Sequence, residues 1–78
     1  MKADNLIHMA NQIGDFFQTM PDREEALDDL ATHIRKFWEP RMRRALLAAL
    51  DTEEAQCMHD IVQAALRKHR ADLQPATN

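Results

Sequence analysis

The chain has 78 residues, a net charge of −3, one glycine, one cysteine, and neither serine nor tyrosine. A chain of this length forms one domain with a modest core, worth about 3–5 kcal/mol, so tight helix packing or a partner must supply the rest. The lone Cys57 excludes an internal disulfide, the lack of serine excludes a serine nucleophile, and the lone Gly14 excludes a glycine-rich phosphate loop.

Ala, Leu, Met, Glu, Asp, Arg and Gln dominate, with a single Val. These are mostly straight-chain helix formers. The expected fold is all-α: a small bundle of three to four helices built on an N-terminal antiparallel helical hairpin. Residues 1–70 form the domain and residues 71–78 a flexible tail.

The first helix is expected from about Ala3 to Thr19, with Leu6, Met9, Ala10, Ile13, Phe16, Phe17 and Met20 as its apolar stripe. Pro21 ends it by pushing the preceding residue out of the α region. Asp22, with Glu25 three residues on, has the spacing of a capping box and opens helix two. Glu24, Glu25, Asp28 and Asp29 crowd its start and Arg35 and Lys36 its end, matching the helix dipole. Leu27, Leu30, Ala31, Ile34, Phe37 and Trp38 form its apolar side. The short link makes helices one and two neighbours.

Pro40 stops helix two and suits the first turn of a third helix, Pro40 to about Leu50, with Met42, Leu46, Ala49 and Leu50 inward. Asp51 and Thr52 are candidate caps for a fourth, carrying Met58, Ile61, Val62, Ala65 and Leu66 and ending near His69. No Gly or Pro enforces that break, and one helix from Pro40 to His69 is the alternative. The longest apolar run, Ala45–Leu50, is six residues against the roughly 20 a membrane span needs. Lys2, Asp4, Asn5 and His8 interrupt any apolar leader. With one free thiol, this points to a cytoplasmic protein without membrane contact.

Metal ligation finds little support. The candidates are His8, His33, Cys57, His59 and His69. Cys57 and His59 lie two apart, about 200° around a helix, and no HExxH, CxxC or HxxxH spacing occurs. Cys57, expected in mid-helix beside Met58, reads as a small apolar residue or half-exposed thiol. The carboxylates of helix two read as solvated dipole partners.

Two features stand out. All four aromatics fall in adjacent pairs, Phe16-Phe17 and Phe37-Trp38, each at a helix end. Neighbours on a helix diverge by about 100°. Either both members of a pair are core, or one enters the core and the other is an exposed anchor. The second feature is Arg35, Lys36, Arg41, Arg43 and Arg44 against the single acid Glu39. This corner suits a solvated face, an acidic protein surface or single-stranded nucleic acid. The acidic balance and the lack of a basic stripe elsewhere count against nucleic acid.

The run from Ile7 to Phe17, with Asn11, Gln12, Gly14, Asp15 and Phe16 inside it, together with Phe37 to Arg43 preceded by His33, resembles the delta subunit of soluble bacterial NAD-dependent formate dehydrogenases. The resemblance spans roughly residues 6–50. It implies a chain with no cofactor of its own, a non-catalytic accessory subunit of a hetero-oligomer. The larger catalytic alpha subunit would hold a molybdenum or tungsten bis-pterin site and iron–sulfur clusters, while other subunits carry electrons through further clusters and FMN to NAD⁺. On that footing one aromatic from each pair (Phe16, Phe17, Phe37 and Trp38 being the candidates) presses on the partner. Arg41, Arg43 and Arg44 supply charge-assisted hydrogen bonds, and Asn11 and Gln12 directional ones. The alternative role is a transient assembly chaperone that leaves before the enzyme matures.

Overall fold

The structure, a computed structural model, describes residues 2–75. Among these every regular element is helical: α1 (Ala3–Phe17), α2 (Arg23–Phe37), α3 (Pro40–Leu50), a 3-10 turn (Glu53–Cys57), α4 (Asp60–Lys68) and α5 (Arg70–Leu73). The all-α expectation holds, with more and shorter helices than foreseen. No described helix is long and apolar enough to cross a membrane.

The boundaries follow from local chemistry. The Gln18 N–H still donates to the Gly14 carbonyl, but Met20 closes only a tight turn onto Phe17 before Pro21. Asp22 Oδ1 then accepts the Glu25 N–H at 3.2 Å and starts α2. Pro40 occupies the first turn of α3, where its missing N–H costs nothing.

The break after Leu50 is real and wider than the capping pattern implied. The Thr52 hydroxyl donates to the Ala49 carbonyl at 2.8 Å and accepts the Glu54 N–H at 3.1 Å, so one side chain closes α3 and opens the 3-10 turn. Thr52, not Asp51, is the cap; Asp51 instead binds the Arg70 guanidinium. Cys57 ends that turn, exposed, rather than sitting in mid-helix.

The core is one cluster fed by every helix. Leu30 and Ile34 of α2, Leu46 of α3, Ile61, Val62 and Leu66 of α4, and Leu73 of α5 are its best-sealed side chains. Helix α1 contributes Leu6, Ile7, Ala10 and Gly14. Gly14 explains how closely α1 and α4 approach: a β-carbon there would lie 2.8 Å from Val62 Cγ2 and 3.0 Å from Ile61 Cγ2. The buried stripe of α1 is thus rotated from the expected one, and Met9 and Phe16 fall outside it.

The C-terminal stretch also departs from expectation. Residues 71–75, assigned to a loose tail, include the end of α5, whose Leu73 is 1% exposed, and a buried Pro75. Burial of one Leu is worth about 1.5–3 kcal/mol, and the Arg43 bond to the Leu73 carbonyl and the Arg70–Asp51 pair add to it in offsetting the entropy of ordering the turn. Residues 76–78 of that tail lie outside the described residues.

Candidate functional site

Helices α1 and α2 both end in aromatic residues, and the structure brings those ends together. The Phe16 and Phe17 rings meet edge to face at 5.2 Å, Phe17 meets His33 at 6.0 Å, and His33 meets Phe37 at 4.8 Å. These separations lie in the range favoured by aromatic pairs. The result is a ladder of four rings across two helices. Its outer members stand in solvent: Phe16 is 70% exposed and Phe37 71%. Phe17 and His33 are half-buried and anchor it. Beside Phe16 on α1, Met9 is exposed and Ile13 half-buried, extending the apolar surface at helical spacing.

Each aromatic pair therefore splits between an inner and an outer member, one of the two arrangements the sequence left open. Trp38, a candidate contact residue, is 5% exposed and belongs to the core. It leaves the helix in an extended conformation (φ −94°, ψ 135°) while its N–H still donates to the Ile34 carbonyl at 2.9 Å. That turn swings the indole inward and leaves Phe37 outside.

The arginines split likewise. Arg43 donates from Nε to the Leu73 carbonyl at 3.2 Å and from Nη1 to the Arg35 carbonyl at 2.9 Å and the Trp38 carbonyl at 3.2 Å. Carbonyls at helix ends lack intrahelical donors; this guanidinium meets one near the end of α2, that of its Trp38 cap and one at the end of α5, and ties both helices to α3. Arg41 and Arg44 are exposed and line a shallow hollow with Glu39 and Pro40. Among the described residues neither Arg41, Arg44 nor Lys36 forms an ion pair.

Asn11 is another candidate contact residue occupied within the chain. Its Nδ2 donates to the Cys57 carbonyl at 2.9 Å, and its Oδ1 accepts the His59 N–H at 2.8 Å. Asp15 Oδ1 pairs with His59 Nδ1 at 2.8 Å on the same edge. Together they pin the link between the 3-10 turn and α4. Gln12 is exposed.

The remaining charge pairs join the end of α4 to α2, and α5 to the end of α3. Lys68 reaches Glu24 at 2.6 Å and Asp28 at 2.9 Å, and His69 reaches Asp28 at 2.7 Å. The Lys68 hydrogen bond, then that of His69, holds the Asp28 carboxyl below its ordinary range. Arg70 does the same to Asp51. Glu24 first and Asp28 second push Lys68 above its ordinary value. No group of three or more His, Cys, Asp or Glu side chains is arranged to hold a metal among the described residues.

Sequence reasoning missed His33 as the rung linking the two aromatic pairs. The signal was present: His33 precedes Phe37 by four residues, which places both on one face of α2.

No curated protein and no solved structure matches the chain. A family model does, over residues 5–66, which include the ring ladder, the Arg41–Arg44 hollow and the Asn11 clamp. By that match, which spans most of its length, the chain belongs to the family described as NADH-dependant formate dehydrogenase delta subunit FdsD.

Proposed function

We propose that this chain is a non-catalytic accessory subunit of an NAD-dependent formate dehydrogenase, docking on the catalytic subunit to support its assembly, cofactor retention or stability. The family match over residues 5–66 carries this reading. On the family's pattern, the bis-pterin molybdenum or tungsten site, the iron–sulfur clusters, FMN and the NAD site are assigned to partner subunits. The setting is cytoplasmic, without nucleic acid or membrane.

The mechanism is linkage. A chain that binds the folded, cofactor-loaded partner and not the unfolded one stabilises it by about 2.7 kcal/mol at a hundredfold excess over Kd. Gln12, Phe16, Phe17, Phe37, Arg41 and Arg44 are available for contact. Asn11, Trp38 and Arg43 support docking indirectly, by holding the fold.

Co-expression of the catalytic subunits with and without this chain tests the proposal. We expect lower metal content and a shorter half-life of formate-oxidising activity when it is omitted. Equal assembly and equal half-life would refute it. Size-exclusion of the active enzyme separates a resident subunit, which co-elutes, from a transient chaperone, which does not.

A further inference from the structure

Resting on the subunit reading above, we propose that the docking surface is the ring ladder ending in Phe16 and Phe37, continued by the Arg41–Arg44 hollow. Its occupant is a protein surface of the catalytic subunit that is apolar at its centre and bordered by carboxylates.

Three observations converge. First, the chain buries its other large aromatic, Trp38, and leaves two phenylalanine rings about 70% in water. Exposed aromatics grouped on one face are characteristic of binding surfaces, and buried aromatic anchors dominate interface energetics.

Second, the rings are held before any partner arrives. Phe17 and His33 sit between Phe16 and Phe37 at ring separations of 4.8–6.0 Å. An anchor already fixed in position loses less side-chain freedom on binding.

Third, the charges specify the rim. Carboxylates elsewhere on the chain engage Lys68, His59, His69 and Arg70. Arg41 and Arg44, beginning three residues after Trp38 and sharing one hollow, pair with no acid among the described residues. Lys36, adjacent to Phe37, is equally without an ion pair. Glu39 lines the same hollow but forms no ion pair with either arginine among the described residues, so two guanidinium groups against one carboxylate leave a net positive border beside the rings, which complements an acidic surface and disfavours a basic one.

The test uses the tagged full-length chain co-expressed with the catalytic subunits. Two variants are compared with wild type, F16A/F37A and R41E/R44E. Capture of the partner is measured at low and high salt, and helical content and self-association of the free chain are followed in parallel. We expect F16A/F37A to weaken capture at least thirtyfold at both salts while keeping its helices. R41E/R44E should weaken capture at low salt and abolish the salt dependence that wild type shows.

Full capture by a folded F16A/F37A variant overturns this surface and leaves the subunit reading standing. Failure of wild type to capture any catalytic subunit overturns the subunit reading itself. If F16A/F37A loses helical content, R41E/R44E decides alone: loss of salt-sensitive capture supports the surface, and unchanged capture overturns it. A wild-type dimer that F16A/F37A dissolves, with partner capture intact, assigns the face to a second copy of the chain and overturns the proposal.

Discussion

Phe37 and Trp38 are covalent neighbours, yet one is 71% exposed and the other 5%. The same division runs through the molecule. Along the seam where α4 and α5 pack on α2 and on the end of α3, apolar side chains interlock and Lys68, His69 and Arg70 are met by carboxylates of the same chain. At the ends of α1 and α2 rings face water, and at the start of α3 Arg41 and Arg44 have no ion-pair partner among the described residues. The first region is completed by its own sequence, and its substitutions should register as lost stability. The second is left open, and its substitutions should register only when a partner is present.

The largest expected effect tests that division across one peptide bond. Trp38→Ala removes a core indole and should cost about 3–5 kcal/mol, comparable to the whole stability expected of a domain this small. Phe37→Ala should change the stability of the free chain by no more than about 0.5 kcal/mol. Denaturant unfolding followed by helical circular dichroism measures both. Equal costs would mean that the ladder belongs to the fold and not to a docking face.

Gly14 sharpens the account of the closed region. Gly14→Val would press new methyl groups into Val62 and Ile61, both buried and β-branched, with little freedom to move aside. Overpacking of this kind costs about 1–3 kcal/mol, more than the few tenths gained by removing a helical glycine. An unfolding midpoint at or above wild type would show that α1 can lift from α4 at no cost. Arg43 and Arg44 repeat the contrast in charged form. Arg43→Ala strands three carbonyls that now share its guanidinium, a loss of about 1.5–3 kcal/mol. Arg44→Ala should stay within about 0.5 kcal/mol on the same measurement.

Much of the closed region was legible in the sequence because its signals are local. Pro21 and Pro40 ended helices where proline must, Asp22 capped α2, and the stripe Leu27, Leu30, Ala31 and Ile34 proved buried. The stripe of α1 was misread because the larger Met9 and Phe16 drew the apolar face toward themselves, leaving out the buried Ile7 and Gly14, the latter not counted as apolar although it lies at the contact with α4. Leu73 was lost to the tail because a single apolar residue between polar ones has no periodicity to reveal it. The roles of Arg43 and Asn11 depend on carbonyls 30 and 46 residues away, Leu73 for Arg43 and Cys57 for Asn11. No spacing rule encodes such partners. The aromatic pairs were visible as a choice between core and anchor, but which ring turns inward depends on the extended backbone at Trp38.

The smallest expected effect concerns acid, and it separates the two regions by a different variable. Asp28 and Asp51 both have carboxyls held below the ordinary value of 3.8 by hydrogen bonds, Asp28 from Lys68 and then His69, and Asp51 from Arg70. A lowered folded-state value means that the stabilisation is complete above 3.8 and is lost as pH falls through the lower folded value. Lys68 shifts the other way: its contribution is complete below its ordinary value of 10.5 and is lost as pH rises beyond the raised one. All three groups are solvent-exposed, so the effects are small and screened by salt. Thermal unfolding of wild type between pH 7 and pH 3 should therefore show a shallow acid decline that Asp28→Asn partly flattens. Asp29→Asn, on the same helix but without an ion pair among the described residues, should leave the decline unchanged. If Asp29→Asn flattened it equally, overall charge rather than the Lys68 and His69 contacts would set the acid response, and the internal pairing that distinguishes the seam from the open face would carry no stability.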